Sequence, residues 1–122
     1  MKLKMLLIAI SLTWSVNTYA GTLFTPTLWA VAPDGFACNL TNVGKKSRSV
    51  NVRIINNGNI LFDSGSFDLA PQYTSDHFVE GLPDGGPIYC EFTVEGSEKD
   101  YRGAAKLFHL PNSSDFAVVA AE

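Results

Sequence analysis

The chain has 122 residues, 46% of them hydrophobic and 17% charged, with a formal net charge of −3. That length leaves room for about one ordinary domain of 100–150 residues and one core. An acidic balance gives no electrostatic reason to seek nucleic acid, whose binding is driven by neutralising phosphates.

The first twenty residues read as a secretory signal peptide. Lys2 and Lys4 supply a basic start, Met5 to Leu12 is an uncharged apolar run, and Ser15 to Ala20 is a more polar tail of small residues. Cleavage is expected between Ala20 and Gly21, with Thr18 three positions before the cut. The apolar run is shorter than the roughly 20 residues needed to span a bilayer, so an uncleaved anchor is the lesser alternative. Neither cysteine follows the run closely, so nothing points to a lipidated cysteine. Without residues 1–20 the chain keeps seven Lys and Arg against 12 Asp and Glu, a formal net of −5. The expected organisation is a signal peptide, 1–20, and one domain, 21–122, that does not span a membrane once processed.

Beyond that segment the dominant hydrophobic period is two, the period of strands. In chain order, strands are expected over 22–31, 36–43, 48–56, 60–63, 66–70, 74–80, 87–95 and 101–110, with 116–121 as a further candidate. Phe36, Cys38 and Leu40 alternate with Ala37, Asn39 and Thr41. Val50, Val52 and Ile54 face away from Asn51, Arg53 and Ile55. Ile88, Cys90, Phe92 and Val94 oppose Tyr89, Glu91 and Thr93. Pro33-Asp34-Gly35, Asn57-Gly58 and Pro83-Asp84-Gly85-Gly86 carry turn chemistry, and Asn57-Gly58 between two apolar runs is the best hairpin signal. Pro71 cannot donate to a ladder, so an edge or a crossover is expected after Leu69-Ala70. The stretch 72–80 is the least regular, with room for one helical turn. Seven to eight short strands in about 100 residues indicate an all-β domain, a sandwich or a barrel.

Cys38 and Cys90 each lie on the apolar face of their own strand, and two cysteines in an exported chain usually pair. A bridge between them favours two facing sheets over a barrel. It would close a loop of 51 intervening residues, for which chain entropy predicts about 4 kcal/mol. A redox pair is the weaker reading, since the two are not in a C-x-x-C motif.

The run Cys38-Asn39-Leu40-Thr41-Asn42-Val43-Gly44, followed by Val50-x-Val52-x-Ile54, Asn57-Gly58 and Leu69-Ala70-Pro71, resembles the immunoglobulin-like surface modules of bacteria of the CARDB type. In those, an N-x-G turn joins two strands and a later L-A-P closes a hairpin. Tyr89 to Gly96 and Tyr101 to Ala104 are also similar to small secreted bacterial proteins of unassigned role. The resemblance covers roughly 38–105. It implies an immunoglobulin-like antiparallel sandwich that binds or packs outside the cytoplasm. Two immunoglobulin hallmarks are missing: Ile88 stands where a Tyr would precede the second Cys, and Trp29 precedes the first Cys instead of following it.

Signals for chemistry are sparse. Phe62-Asp63-Ser64-Gly65-Ser66 is similar to the stretch around a serine-protease nucleophile, but a turn between strands is the simpler reading. His77 beside Asp76 lacks a third ligand at recognisable spacing, and reads as a residue near solvent; His109 reads as packed or capping. Asp63 to Asp68 is too poor in oxygen ligands for a calcium loop. Asp34 and Asp84 belong to turns, while Glu95, Glu98, Lys99 and Asp100 read as a solvated hairpin tip. Lys45, Lys46 and Arg48 form a solvated basic turn. Asn39-Leu40-Thr41 and Asn112-Ser113-Ser114 fit the glycosylation triplet, which matters only in a eukaryotic secretory route. No catalytic residue, cofactor or metal is expected.

The leading functional expectation is therefore a non-catalytic secreted or periplasmic binding or structural module of the cell envelope. Its partner would be another envelope or extracellular protein, or a glycan. The alternatives are a small hydrolase or metal-dependent enzyme built around Asp63, Asp76 and His77, and a fimbrial subunit or an inhibitor of a secreted protein.

Overall fold

The computed structural model describes residues 20–109 and 114–122. The expected signal segment up to Tyr19, and Asn112 and Ser113 of the second glycosylation triplet, lie outside the described residues.

Ten strands follow in chain order: β1 (Gly21–Phe24), β2 (Leu28–Ala30), β3 (Gly35–Asn42), β4 (Arg48–Asn56), β5 (Asn59–Asp63), β6 (Phe67–Leu69), β7 (Thr74–Val79), β8 (Gly86–Val94), β9 (Tyr101–His109) and β10 (Ser114–Ala120). They form two antiparallel sheets. In sheet A, β1 and β2 share one edge of β8, β4 follows, and β5 and β6 share the far edge. Sheet B runs β10-β9-β3-β7. Within 72–80, where a helical turn had room, Thr74–Val79 form strand β7, because Phe36 to Thr41 of β3 pair with it throughout.

The count exceeds eight partly because the expected single strand 22–31 is broken. Phe24 lies opposite Glu91 and Leu28 opposite Ile88, so Thr25, Pro26 and Thr27 oppose only two residues of β8, a β-bulge. Pro26 has no N–H to contribute there. Thr25 repairs the ladder: its N–H donates to Cys90 O (3.1 Å) and its Oγ1 accepts the Cys90 N–H (2.9 Å).

The Asn57-Gly58 hairpin forms as its sequence dictates. Asn57 (φ 54°) and Gly58 (φ 79°) both occupy the left-handed region that a two-residue I′ turn demands. At the other N-x-G site, Asn42 Oδ1 accepts the Gly44 N–H (2.9 Å). Its amide donates to Lys46 O and Leu69 O, so this fully buried Asn has no idle group. Leu69 ends β6, and the chain crosses at Ala70-Pro71 to the other sheet.

The alternating faces meet in one core containing Phe36, Leu40, Val50, Val52, Ile54, Ile88, Phe92, Val94 and Leu107. Burial of each large side chain contributes about 1.5–3 kcal/mol. Through this core the Cys38–Cys90 disulfide joins β3 of sheet B to β8 of sheet A, with Cα atoms 5.9 Å apart and both residues fully buried. That is the pairing, and the position between sheets, that the alternation predicted.

The sandwich keeps the immunoglobulin-type pairings of second strand with fifth (β3–β7) and third with sixth (β4–β8). It exchanges the outer ones: the first strand joins β8 and the strand after β8 joins β3, the reverse of the usual sheet membership. Tyr101 anchors that crossover, its hydroxyl donating to Glu95 O (2.5 Å).

Candidate binding surface

Because side chains alternate, the register of sheet A fixes what its outer face displays. One row across the strands is Phe24, Glu91, Arg53 and Asp63; the next is Tyr89, Ile55 and Ile60; Trp29 lies beyond, opposite Pro87. Trp29 is 70% exposed, Ile60 54% and Phe24 46%. The Phe24 and Tyr89 rings sit 6.1 Å apart at 59°. Ile55, though on the outer face, is buried, so this is a packed apolar layer with exposed rims.

Beside it lies an ion trio. Arg53 Nε is 3.1 Å from Asp63 Oδ2, and Arg53 Nη1 is 3.5 Å from Glu91 Oε1. The Gly65 N–H on Asp63, more than any other contact, holds that carboxyl below its usual range; the Asn51 side chain and Arg53 act in the same direction against partial desolvation. Two carboxylates thus share one cation.

The outer face of sheet B is different. Its rows read Phe78, Ala37, Lys106, Val118 and then Asp76, Asn39, Ala104, Ala120, small and polar apart from the ends of the first row. Here Asn39 Nδ2 donates to Asp76 Oδ1 (2.6 Å) and the Thr41 and Thr74 hydroxyls bond each other (2.6 Å).

The residues weighed for catalysis are not brought together. Asp63 faces outward on sheet A, paired with Arg53, and its other oxygen accepts the Gly65 N–H (2.9 Å). Ser64 Oγ accepts the Val52 N–H (2.9 Å) and donates to Gly65 O (2.7 Å), as a turn residue does. Asp76 is on the outer face of sheet B. His77 is a strand residue that keeps partial solvent exposure, as the sequence suggested, but it lies opposite Cys38 and points between the sheets, where Phe62 and Phe67 flank it. Among the described residues, no group of three or more His, Cys, Asp or Glu side chains is placed to hold a metal ion.

Sequence reasoning missed two features. Asp34 is a turn residue, but its carboxylate is buried; Oδ2 accepts the Val31 N–H (3.1 Å) and Oδ1 lies 3.0 Å from His109 Nδ1. These partners stand 75 positions apart and no local pattern links them. The aromatic layer draws on β1, β2, β5 and β8, so only strand pairing assembles it. Lys45 and Lys46 are exposed in the turn before β4, as expected, whereas Arg48 of the same basic cluster opens β4 and is half-buried.

No family model matches the chain, and no curated protein matches it. Among solved structures, the crystal structure of Thermotoga maritima 1070 is similar in fold. The two align with a TM-score of 0.58 at 7% identity, over 83% of this chain and 91% of the other. At that identity the likeness concerns the fold alone. No helix among the described residues is long and apolar enough to cross a membrane.

Proposed function

We propose that this is a non-catalytic exported module that binds a basic protein partner at the cell envelope through the outer face of sheet A. The observation that carries this reading is the contrast between the two outer faces. One gathers Phe24, Trp29, Tyr89 and Ile60 around an arginine–carboxylate trio; the other presents mainly small and polar side chains. Aromatic residues and Arg are what the centres of protein interfaces enrich, with a few such anchors carrying most of the affinity. Charge selects the partner's sign. The trio has two carboxylates for one cation, and the chain from Gly21 onward has a formal net of −5, so a second copy of the same chain would meet like charge. A disulfide and an N-terminal export signal support a place outside the cytoplasm.

The test is a crosslinking capture from envelope extracts with oxidised wild type, Trp29→Ser, Phe24→Ser and, as a control on sheet B, Phe78→Ser. The reading requires a basic protein captured by wild type and Phe78→Ser, lost with Trp29→Ser and Phe24→Ser, and released by salt. Capture that ignores these substitutions sinks it. Retention of an envelope polysaccharide instead of a protein would reassign the face to a glycan, and self-crosslinking alone would reassign it to a second copy.

A further inference from the structure

A two-sheet sandwich has two open sides, and this one closes them by different means. Along one side the backbone does the work: Phe24 of β1 in sheet A and Glu122, just past β10 of sheet B, exchange N–H···O bonds. Along the other, β5 and β6 of sheet A face β7 of sheet B, and side chains fill the gap. The His77 imidazole lies between Phe62 (centroids 5.5 Å apart) and Phe67 (5.3 Å). Its Nε2 is buried and has no hydrogen-bond partner.

Such a group favours the neutral state. Neutral imidazole can leave Nε2 as a bare acceptor at modest cost, whereas imidazolium places an N–H and a charge there. The surroundings offer the charge little. Within Gly35–Asn42, β3 contains no ionisable side chain apart from the disulfide-bonded Cys38. Asp63 on β5 and Asp68 on β6 are on the outer face of sheet A, opposite Arg53 and Ser49. On β7 itself Asp76 is engaged by Asn39. Among the described residues β7 is an edge strand, held in its ladder by β3 alone.

We propose that the β5–β6/β7 side is an acid-opened seam: a proton taken up at His77 Nε2 drives the ring from between Phe62 and Phe67 into water, releasing β7 and uncovering both rings. The balance is simple. One proton enters from solvent and no covalent bond other than N–H forms. Desolvation lowers the His77 pKa from its ordinary value, and Asp76 only partly opposes it. The open state therefore binds the proton more tightly than the closed one. The closed seam has its full stability above about pH 6.5 and weakens as pH falls below that value, until the closed form itself protonates.

Hydrogen exchange of the β7 amides, corrected for intrinsic rates, tests the seam in the oxidised protein at pH 7.5 and 5.0. Wild type should lose protection over Thr74–Val79 by several-fold at the lower pH, in the direction that a lowered His77 pKa dictates. The central strands β4 and β8 should not change. His77→Phe, which keeps an aromatic plug with no proton to gain, should show no pH step, and His77→Gln serves if the Phe variant fails to fold. Unchanged β7 protection in wild type would overturn the proposal, as would an equal loss in the variant. Direct titration of the His77 ring protons by NMR adds a third check, and a midpoint at or above about 6.5 would also overturn it.

Discussion

Phe24 and Glu122 exchange two backbone hydrogen bonds, the Phe24 N–H to Glu122 O at 2.9 Å and the Glu122 N–H to Phe24 O at 3.0 Å. The first described strand and the end of the chain thereby tie sheet A to sheet B. Deleting Ala121 and Glu122 removes these bonds and the one from Ala121 to Gly103 O. The expected loss is about 1–3 kcal/mol, since each bond contributes a net of roughly 0.5–1.5 and water replaces part of it. Urea unfolding measures it; an unchanged midpoint would mean the lacing contributes nothing.

The Cys38–Cys90 bridge links the two sheets through their inner strands, so its removal leaves every ladder in place and loosens the stacking. Replacing both residues by Ala should lower stability by about 2–5 kcal/mol. Denaturant unfolding of the oxidised protein against the double variant decides this, and thiol counting on denatured, unreduced wild type should find no free thiol.

Thr25→Val keeps the shape of the bulge but deletes the oxygen that accepts the Cys90 N–H. That donor is buried beside the disulfide, so a cost of about 1–3 kcal/mol is expected. The same substitution at exposed Thr74 should cost less. Equal effects at the two sites would show that the bulge bond has no special weight.

Asp63 should give a separate acid limb. Its carboxyl is held below the ordinary value, chiefly by the Gly65 N–H. A depressed folded pKa adds stability that is present above the unfolded value of about 3.9 and is lost as pH falls through the folded one. Unfolding midpoints measured from pH 6 to 2 should therefore fall less steeply below about pH 4 in Asp63→Asn than in wild type.

The expected processing would leave a mass signature. The processed protein is expected to start at Gly21, the first residue of β1. Intact-mass measurement on material from the cell exterior or envelope checks this, and a species retaining Met5 to Leu12 would revive the anchor.

Much of the fold was legible because strand alternation and turn chemistry are local. Val50, Val52 and Ile54 declare a buried face, and Asn57-Gly58 declares a turn, without knowledge of any partner strand. Cys38 and Cys90 extended that to one long-range contact. Pairing between distant strands was not legible. That is why the bulge at Thr25 escaped notice, why Phe24, Tyr89 and Ile60 did not look like neighbours, and why the Asp34–His109 pair stayed hidden. The two phenylalanines beside half-buried His77 were missed for the same reason. Its strand alternates in the right phase to point inward, but whether an inward edge residue meets solvent or two phenylalanines depends on how the opposite sheet ends.

The unlaced side also bears on solubility. Among the described residues no further strand of its own sheet lies beyond the outer edge of β7, and a free edge of that kind is a template on which another molecule can add a strand. In the closed protein Asp76 places a carboxylate in the middle of that strand, a feature that discourages edge-to-edge stacking. If β7 swings away, the new edge is β3, whose run Gly35–Asn42 bears no charge. Mild acid and high concentration together are therefore the conditions under which this protein would leave solution.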